Sequence, residues 1–232
     1  MKKNLNQLQQ QLAIKFRKPQ LLAQALVHRS YLNEVTGEGL EHNERLEFLG
    51  DAVLSFVVSN WLYHKFPDYE EGQLTNLRSN LVRTATLAKI ANQLGIGQNL
   101  LMSRGEKSSG GEKNPSLLAN SLEAVIGAIF LDQGIEKTEN FIKTHLEPFL
   151  DQILAKGEFK DSKSLLQEKI QEEIKETPLY KTLKEEGPDH DKIFTVGVYS
   201  QGKFLAKGEG KSKQEAEEKA AQAALEKINT KS

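Results

Sequence analysis

The segment HNERLEFLGDAVL, residues 42–54, has the pattern of a helix with one acidic and one apolar face. Glu44, Glu47 and Asp51 stand at positions i, i+3 and i+7 and therefore share one side of that helix. The other side carries Leu46, Leu49, Val53 and Leu54. Carboxylates on neighbouring turns repel each other, so something must offset the repulsion. A divalent cation would do so, and Mg²⁺ in particular prefers carboxylate oxygens.

A second helical segment offers two more oxygen-bearing side chains. Asn120 and Glu123 are three residues apart within the otherwise apolar run 117–130. If the two helices pack side by side, these groups and the acidic face can pool their oxygens around one cation. The alternatives are a hydrogen-bonded polar pair in the core and, for residues 44–51, a solvated acidic face tempered by Arg45.

The composition of the 232 residues excludes several classes of site. Cysteine is absent, so there is no disulfide scaffold, thiol nucleophile or cysteine-ligated metal. Lys and Arg number 31 and Asp and Glu 32, so a polyanion could be bound only through a local patch. No apolar run approaches the roughly 18 residues of a membrane span, and the first residues lack the apolar region of a secretory signal. We expect a cytoplasmic protein that contacts no membrane and uses no organic cofactor.

The spacing of apolar residues divides the chain into two domains. Residues 1–154 show the helical period throughout, with the glycine-rich segment 103–116 predicted as a mobile loop. Residues 155–163 are polar and are predicted to be a linker. Residues 164–232 follow the order α-β-β-β-α: a helix over 165–175 capped by Ser164, strands over 179–186, 192–200 and 203–210, and a helix over 214–228.

Four blocks of this chain resemble the ribonuclease III family. The most specific is HNERLEFLGDAVL (42–54), and the others are ALVHRSY (25–31), EGQLTNLRSNLV (71–82) and LLANSLEAVIGAIFLDQG (117–134). The resemblance implies an all-α endonuclease domain followed by a small α+β double-stranded-RNA-binding domain. It also implies metal ligands at Glu47, Asp51, Asn120 and Glu123, with Glu44 and Glu71 as further acidic residues of the active site.

The position of Asn120 departs from the family pattern, which usually has Asp there. An amide keeps one oxygen ligand but removes one negative charge, so the metal site should be weaker. Because Glu47, Asp51 and Glu123 are present, we expect activity to be retained with a higher Mg²⁺ requirement. The alternative is a non-catalytic protein that only binds double-stranded RNA. A helical phosphohydrolase acting on nucleotides would explain the acids but not the second domain.

Lysines of the second domain cluster where its last helix begins. Lys207, Lys211 and Lys213 surround the Ser212–Glu215 capping box, and a helix N-terminus attracts phosphate. The first helix offers polar groups for ribose hydroxyls, and the loop between the first two strands offers a histidine. The predicted RNA-binding residues are Gln167, Glu168, Gln171, His190, Lys211, Ser212 and Lys213.

The resemblance completes the functional expectation. It implies a Mg²⁺-dependent endoribonuclease, with Mn²⁺ as a possible substitute, that cuts double-stranded RNA to 5′-phosphate and 3′-hydroxyl ends. It also implies a homodimer whose acidic helices face each other, with each subunit cutting one strand and Phe48 among the plausible contacts. The family's typical role suggests processing of ribosomal RNA precursors, with maturation of messenger and transfer RNA as further roles.

Overall fold

The computed structural model describes residues 2–35, 41–156, 162–188 and 192–229, and the chain divides after Gly157 into two compact units. The first unit is helical. Its helices are α1 (Lys2–Gln11), α2 (Pro19–Ala25), α3 (Arg29–Leu32), α4 (Glu44–Lys65), α5 (Glu71–Val82), α6 (Thr84–Gln93), α7 (Ile96–Asn99), α8 (Arg104–Ser108), α9 (Pro115–Gln133) and α10 (Ile135–Lys156).

Helix α9 is the centre of the first unit because it is apolar on nearly every side. It lies against α2, α4, α6 and α10. Its buried side chains include Leu118, Leu122, Val125, Ile126 and Ile129. Among the described residues α9 alone is long and apolar enough to cross a membrane, but 61% of its most apolar window is buried within the fold. Central helices of folded domains share this property, so it is weak support for a membrane span.

A capping side chain begins α9 and a glycine ends it. Asn114 caps the first turn by accepting a hydrogen bond from the Ser116 N–H at 2.9 Å, and Gly134 ends the helix with φ 81°. Near that end the buried Asp132 accepts hydrogen bonds from the main-chain N–H groups of Arg17 and Lys18, both at 2.8 Å. These bonds hold the pKa of Asp132 below its usual value, against the opposing effect of its burial.

The segment 103–116, which we predicted to be a loop, contains helix α8 and a 3-10 turn over Gly111–Lys113. Ser103 begins α8 by accepting the Glu106 N–H at 3.2 Å. The segment is also tied to the start of the chain, because Ser30 Oγ accepts the Ser103 N–H at 3.0 Å and Glu34 accepts the Arg104 N–H at 3.0 Å. The Gly and Ser residues had obscured this short helix.

The second unit has the predicted order of elements. Helix α11 (Ser162–Ile174) precedes an antiparallel sheet of β1 (Leu179–Glu186), β2 (Ile193–Ser200) and β3 (Lys203–Gly210), and helix α12 (Lys213–Asn229) follows. Both helices pack on one face of the sheet, around a core that includes Leu166, Ile170, Val198, Ala206 and Ala220.

The turn between β2 and β3 is formed by Gln201 and Gly202, whose φ angles are 49° and 70°. Two successive positive φ angles match the twist of a tight hairpin.

The predicted fold class is thereby confirmed, while the start of the first helix of the second unit differs from the prediction. Helix α11 begins at Ser162, so Ser164 lies inside the first turn and does not cap the helix. Helix α10 runs to Lys156, and residues 157–161 lie outside the described residues. The boundaries of the linker, predicted as 155–163, and of the domains, 1–154 and 164–232, stay predictions.

Candidate active site

Helices α4 and α9 cross at two glycines that allow main chain to touch main chain. A β-carbon on Gly127 would lie 2.3 Å from the carbonyl oxygen of Leu46, and one on Gly50 would clash with the carbonyl of Glu123. Real β-carbons do not approach other atoms so closely, so both positions require glycine. The crossing brings the acidic face of α4 next to the turn of α9 that carries Asn120 and Glu123.

The carboxylates near this crossing influence one another. Burial raises the pKa of Glu123 to about 7, and the negative charges of Asp51 and Glu47 add to the effect. Burial also raises the pKa of Glu47, as do the charges of Glu44 and Asp51. Such charge effects on the pKa require the groups to be close. Glu47, Asp51 and Glu123 therefore form one electrostatic cluster contributed by both helices.

The chemistry of this cluster fits a divalent cation, although the side chains are not gathered into a finished ligand set. Among the described residues, no three Asp, Glu or His side chains are close enough together to hold a metal ion. Within the described residues, no Lys, Arg or His side chain forms an ion pair with Glu47, Asp51 or Glu123. Mg²⁺ keeps several of its waters and needs few direct carboxylate ligands, so an open, uncompensated cluster suits it.

A cavity of about 520 Å³ opens beside the cluster. Glu47 and Asn120 line it from α4 and α9, which places one candidate ligand of each helix on the same space. Glu44 also lines it, but its carboxylate is 3.5 Å from Arg29 Nη1 and 3.7 Å from His42 Nδ1. Glu44 therefore stands at the rim, partly neutralised, and is less available as a ligand than Glu47.

Glu71 is not brought to this cavity in the single chain. It lies at the start of α5 and accepts a hydrogen bond from Thr75 Oγ1 at 3.2 Å. It lines a different cavity, of about 630 Å³, whose walls include Phe56 and Tyr63 from the second half of α4. Its predicted catalytic role stays a prediction.

The predicted phosphate contacts of the second unit lie around the first turn of α12. Ser212 Oγ accepts the Glu215 N–H at 3.1 Å, and Glu215 accepts the Lys211 N–H at 2.8 Å. The ammonium group of Lys213 is 2.9 Å from Glu185 Oε1, and this bond lowers the pKa of Glu185. Lys213 must leave or share this carboxylate to contact a phosphate.

The other predicted RNA-binding residues divide into two groups. Gln167, Glu168 and Gln171 are exposed on α11, with the first and last one helical turn apart. His190 lies outside the described residues.

Two features of the site were missed from the sequence. The first is the glycine pair, although a lone glycine inside an apolar helical run usually has a packing reason. The second is the part of the cavity wall formed by His28 and Ser30, in which His28 Nδ1 is 2.8 Å from Ser30 Oγ. Ser30 in turn holds Ser103, so this pair joins the cavity to the segment that carries α8. No sequence signal pointed to that long-range contact.

The comparisons with known proteins agree with both units. The family model described as Ribonuclease-III-like matches residues 18–149, and the double-stranded RNA binding motif matches residues 162–228. The first match covers more than half of the chain. An all-helical nuclease domain followed by a double-stranded-RNA-binding domain is the class that these matches define.

Individual proteins that are similar to this chain identify the family within this class. Ribonuclease 3 of Desulforamulus reducens is 46% identical over 96% of this chain and 91% of its own length. Ribonuclease 3 of Borreliella burgdorferi is 42% identical over 97% of this chain and 91% of its own length. The nuclease domain of ribonuclease III from Campylobacter jejuni superposes with a TM-score of 0.58 at 44% identity, covering 63% of this chain and 96% of that domain. The chain belongs to the ribonuclease III family.

Proposed function

We propose that this protein is a Mg²⁺-dependent endoribonuclease that cuts double-stranded RNA, and that Mn²⁺ can replace Mg²⁺. One observation carries the proposal: α4 and α9 cross at Gly50 and Gly127, and there burial and the charges of Asp51 and Glu47 raise the pKa of Glu123. Family membership supplies the context, because the relatives that match over nearly the whole chain carry the name Ribonuclease 3.

The residues of the site have separate tasks in this proposal. Glu47, Asp51 and Glu123 supply anionic oxygens and Asn120 a neutral one, and together they fix where a cation sits. When bound, a divalent cation supplies a water of lowered pKa and neutralises charge on the phosphate. The two glycines let the main chains of α4 and α9 touch, and this contact would keep the four side chains in place. Cleavage by water leaves 5′-phosphate and 3′-hydroxyl ends.

The second unit supplies affinity for the duplex. Bare carboxylates repel RNA, so the nuclease unit should bind poorly without divalent ions. A domain of this kind spans about 16 base pairs and reads shape through ribose hydroxyls and phosphates. In this proposal Lys211, Ser212 and Lys213, around the start of α12, contact phosphates, and Gln167, Glu168 and Gln171, which are exposed on α11, contact ribose hydroxyls. His190 is assigned to the same surface from the sequence alone.

A homodimer is part of the proposal. Phe48, Phe56 and Tyr63 are 80%, 61% and 67% exposed on α4, and apolar side chains of this size are seldom left in water without a partner. A solved structure of the Campylobacter jejuni nuclease domain, 44% identical with a TM-score of 0.56, is described as having a region involved in dimer formation. Pairing through α4 would bring two acidic clusters near one duplex, one for each strand.

A second candidate function is binding without cleavage. Asn120 favours it, because the site has one negative charge fewer than the family pattern, and the ligand side chains are not pre-assembled among the described residues. We favour hydrolysis because three carboxylates remain. Cytoplasmic processing of ribosomal RNA precursors, and of other RNAs, is the biological role that we propose.

Incubation of a long RNA duplex with the protein distinguishes the two candidates. With Mg²⁺ the duplex should be cut into fragments that carry 5′-phosphates, whereas EDTA should abolish cutting and a single-stranded control should survive. Binding of the duplex without cutting at any Mg²⁺ or Mn²⁺ concentration would favour the second candidate.

A further inference from the structure

The face of the β-sheet that points away from both helices carries a small aromatic cluster. Tyr199 and Phe204 are directly paired across β2 and β3, and their rings meet edge to face with centroids 5.5 Å apart. Leu183 of β1 joins them over Gly197, where an added β-carbon would lie 3.0 to 3.2 Å from all three side chains. Phe204 remains 50% exposed and Leu183 48% exposed. The cluster is therefore open to solvent and not a second core.

Lysines border this aromatic cluster, and one of them has no acidic partner. Lys181 stands opposite Gly197 in the sheet, with its ammonium group 5.4 Å from the centre of the Tyr199 ring. Lys181 is not paired with a carboxylate in the described part of the chain. Lys207, on the same face, is 3.7 Å from Glu209. The face thus combines aromatic rings with positive charge that the protein leaves uncompensated.

We propose that this sheet face, defined by Lys181, Tyr199 and Phe204, binds unpaired RNA nucleotides. Bases stack on exposed aromatic rings with little regard to sequence, while lysines contact the phosphates between them. A sheet that carries aromatic side chains is a known way to hold single-stranded RNA. The proposal rests on the protein being an RNA-binding one, but not on cleavage.

The sheet face is separate from the surface assigned to the duplex. Residues of that surface lie on α11 and at the start of α12, and both helices pack against the opposite side of the sheet through Val198 and Ala206. One domain can therefore hold a duplex on the helix side and a tail of the same RNA on the sheet side. RNA is favoured over a second copy of the chain, because symmetric pairing of two such faces would bring the unpaired Lys181 of each copy toward the other.

Affinity for a tailed duplex tests the proposal directly. The full chain, kept in EDTA to prevent cutting, is titrated with a blunt duplex of about 20 base pairs and with the same duplex carrying a 3′ tail of about eight adenosines. Fluorescence anisotropy gives both affinities. The wild-type protein should prefer the tailed duplex by about fivefold or more, since one stacked base contributes at least that factor.

Two substitutions should remove this preference without affecting the blunt duplex. Phe204→Leu keeps an apolar side chain but removes the ring, and Lys181→Gln removes one exposed charge without touching the core. Lys213→Ala should weaken binding of both duplexes in equal proportion, and Lys89→Gln, an exposed lysine of α6, is the matched charge control. If the wild-type protein bound neither duplex, the result would count against the proposed function. If the wild-type protein bound both duplexes equally well, the result would count only against the role of the sheet face.

Three outcomes would overturn the proposal. The first is equal affinity of the wild-type protein for blunt and tailed duplexes. The second is a preference for the tail that survives both Phe204→Leu and Lys181→Gln. The third is a change in sedimentation on Phe204→Leu with no change in tail binding, which would make the sheet face a protein interface.

Discussion

A β-carbon placed on Gly50 would lie 1.7 Å from the main-chain oxygen of Glu123. No side chain can move to relieve this contact, because the obstacle is the backbone of α9. The reciprocal contact of Gly127 with the Leu46 carbonyl makes the crossing tight from both helices. The position of Glu123 beside Glu47 and Asp51 thus depends on two residues that carry no functional group.

Gly50→Ala should separate the helices and disable the site. Overpacking a dense core costs about 1–3 kcal/mol, and a clash between main chains should reach the upper end of that range. Chemical denaturation measures the loss of unfolding free energy. Gly72→Ala is the control, since nothing lies within 4 Å of its β-carbon and alanine should stabilise α5 by up to about 1 kcal/mol. Equal stability of the two variants would contradict the described crossing.

The unfolding free energy of the metal-free protein should depend on Glu123 in a defined pH window. Its pKa rises from 4.5 to about 7 on folding, so the folded state binds more protons than the unfolded state between these values. Stability contributed by the neutral carboxyl is therefore lost as the pH rises through this window. Glu123→Gln cannot ionise, so in EDTA the variant should be more stable than the wild-type protein above pH 7.

Denaturation curves collected from pH 4 to pH 8 would check this, and the two proteins should converge near the ordinary pKa of 4.5. Adding Mg²⁺ should then raise the stability of the wild-type protein more than that of the variant, because a ligand stabilises the state that binds it. A variant that is less stable than the wild-type protein at every pH would show that Glu123 is a structural hydrogen-bonding group.

Asn120→Asp should lower the Mg²⁺ concentration that gives half-maximal cutting of a duplex. The change adds a negative charge at the wall of the cavity shared with Glu47, and charged ligands bind cations more tightly. We expect a severalfold shift, measured from cleavage rates across a Mg²⁺ titration. Asn140→Asp, on the exposed face of α10, is the control. An unchanged Mg²⁺ requirement would remove Asn120 from the ligand set.

Two substitutions around Lys213 should act in opposite directions on duplex affinity. Lys213→Ala removes a phosphate contact, so affinity should fall and the salt dependence of binding should lose about one unit of slope. Glu185→Gln releases Lys213 from its 2.9 Å ion pair, so affinity should rise. Filter binding at several salt concentrations measures both. An unchanged salt slope for Lys213→Ala would take this lysine out of the interface.

Much of the fold is readable from the sequence because its signals are local. The strands predicted over 179–186 and 203–210 are β1 and β3 with the residues found. The acidic face of α4 follows from helical spacing alone. The segment of α8 was misread as a loop because its stability comes from Ser30 and Glu34, some 70 residues away in the chain.

The site was only partly predictable because it depends on how two helices meet. Spacing places Glu47 and Asp51 on one face, but only the contact at Gly50 and Gly127 brings Glu123 to them. The single chain keeps Glu71 apart, in a cavity that opens on the exposed aromatic face of α4. Its role was transferred from the family pattern, and no local signal specifies the neighbours of that residue.

Cleavage of a long RNA duplex by Glu123→Gln, compared with the wild-type protein at the same Mg²⁺ concentration, tests the central claim most directly. The substitution keeps the shape of the side chain and removes one ligand charge, while Glu136→Gln makes the same change at an exposed position of α10. The wild-type protein and Glu136→Gln should cut alike, and Glu123→Gln should be slower by about a hundredfold or more, the scale of losing one electrostatic contact in a catalytic site. Equal rates for all three proteins, or no cutting by any of them, would contradict the claim that α4 and α9 together hold the catalytic cation.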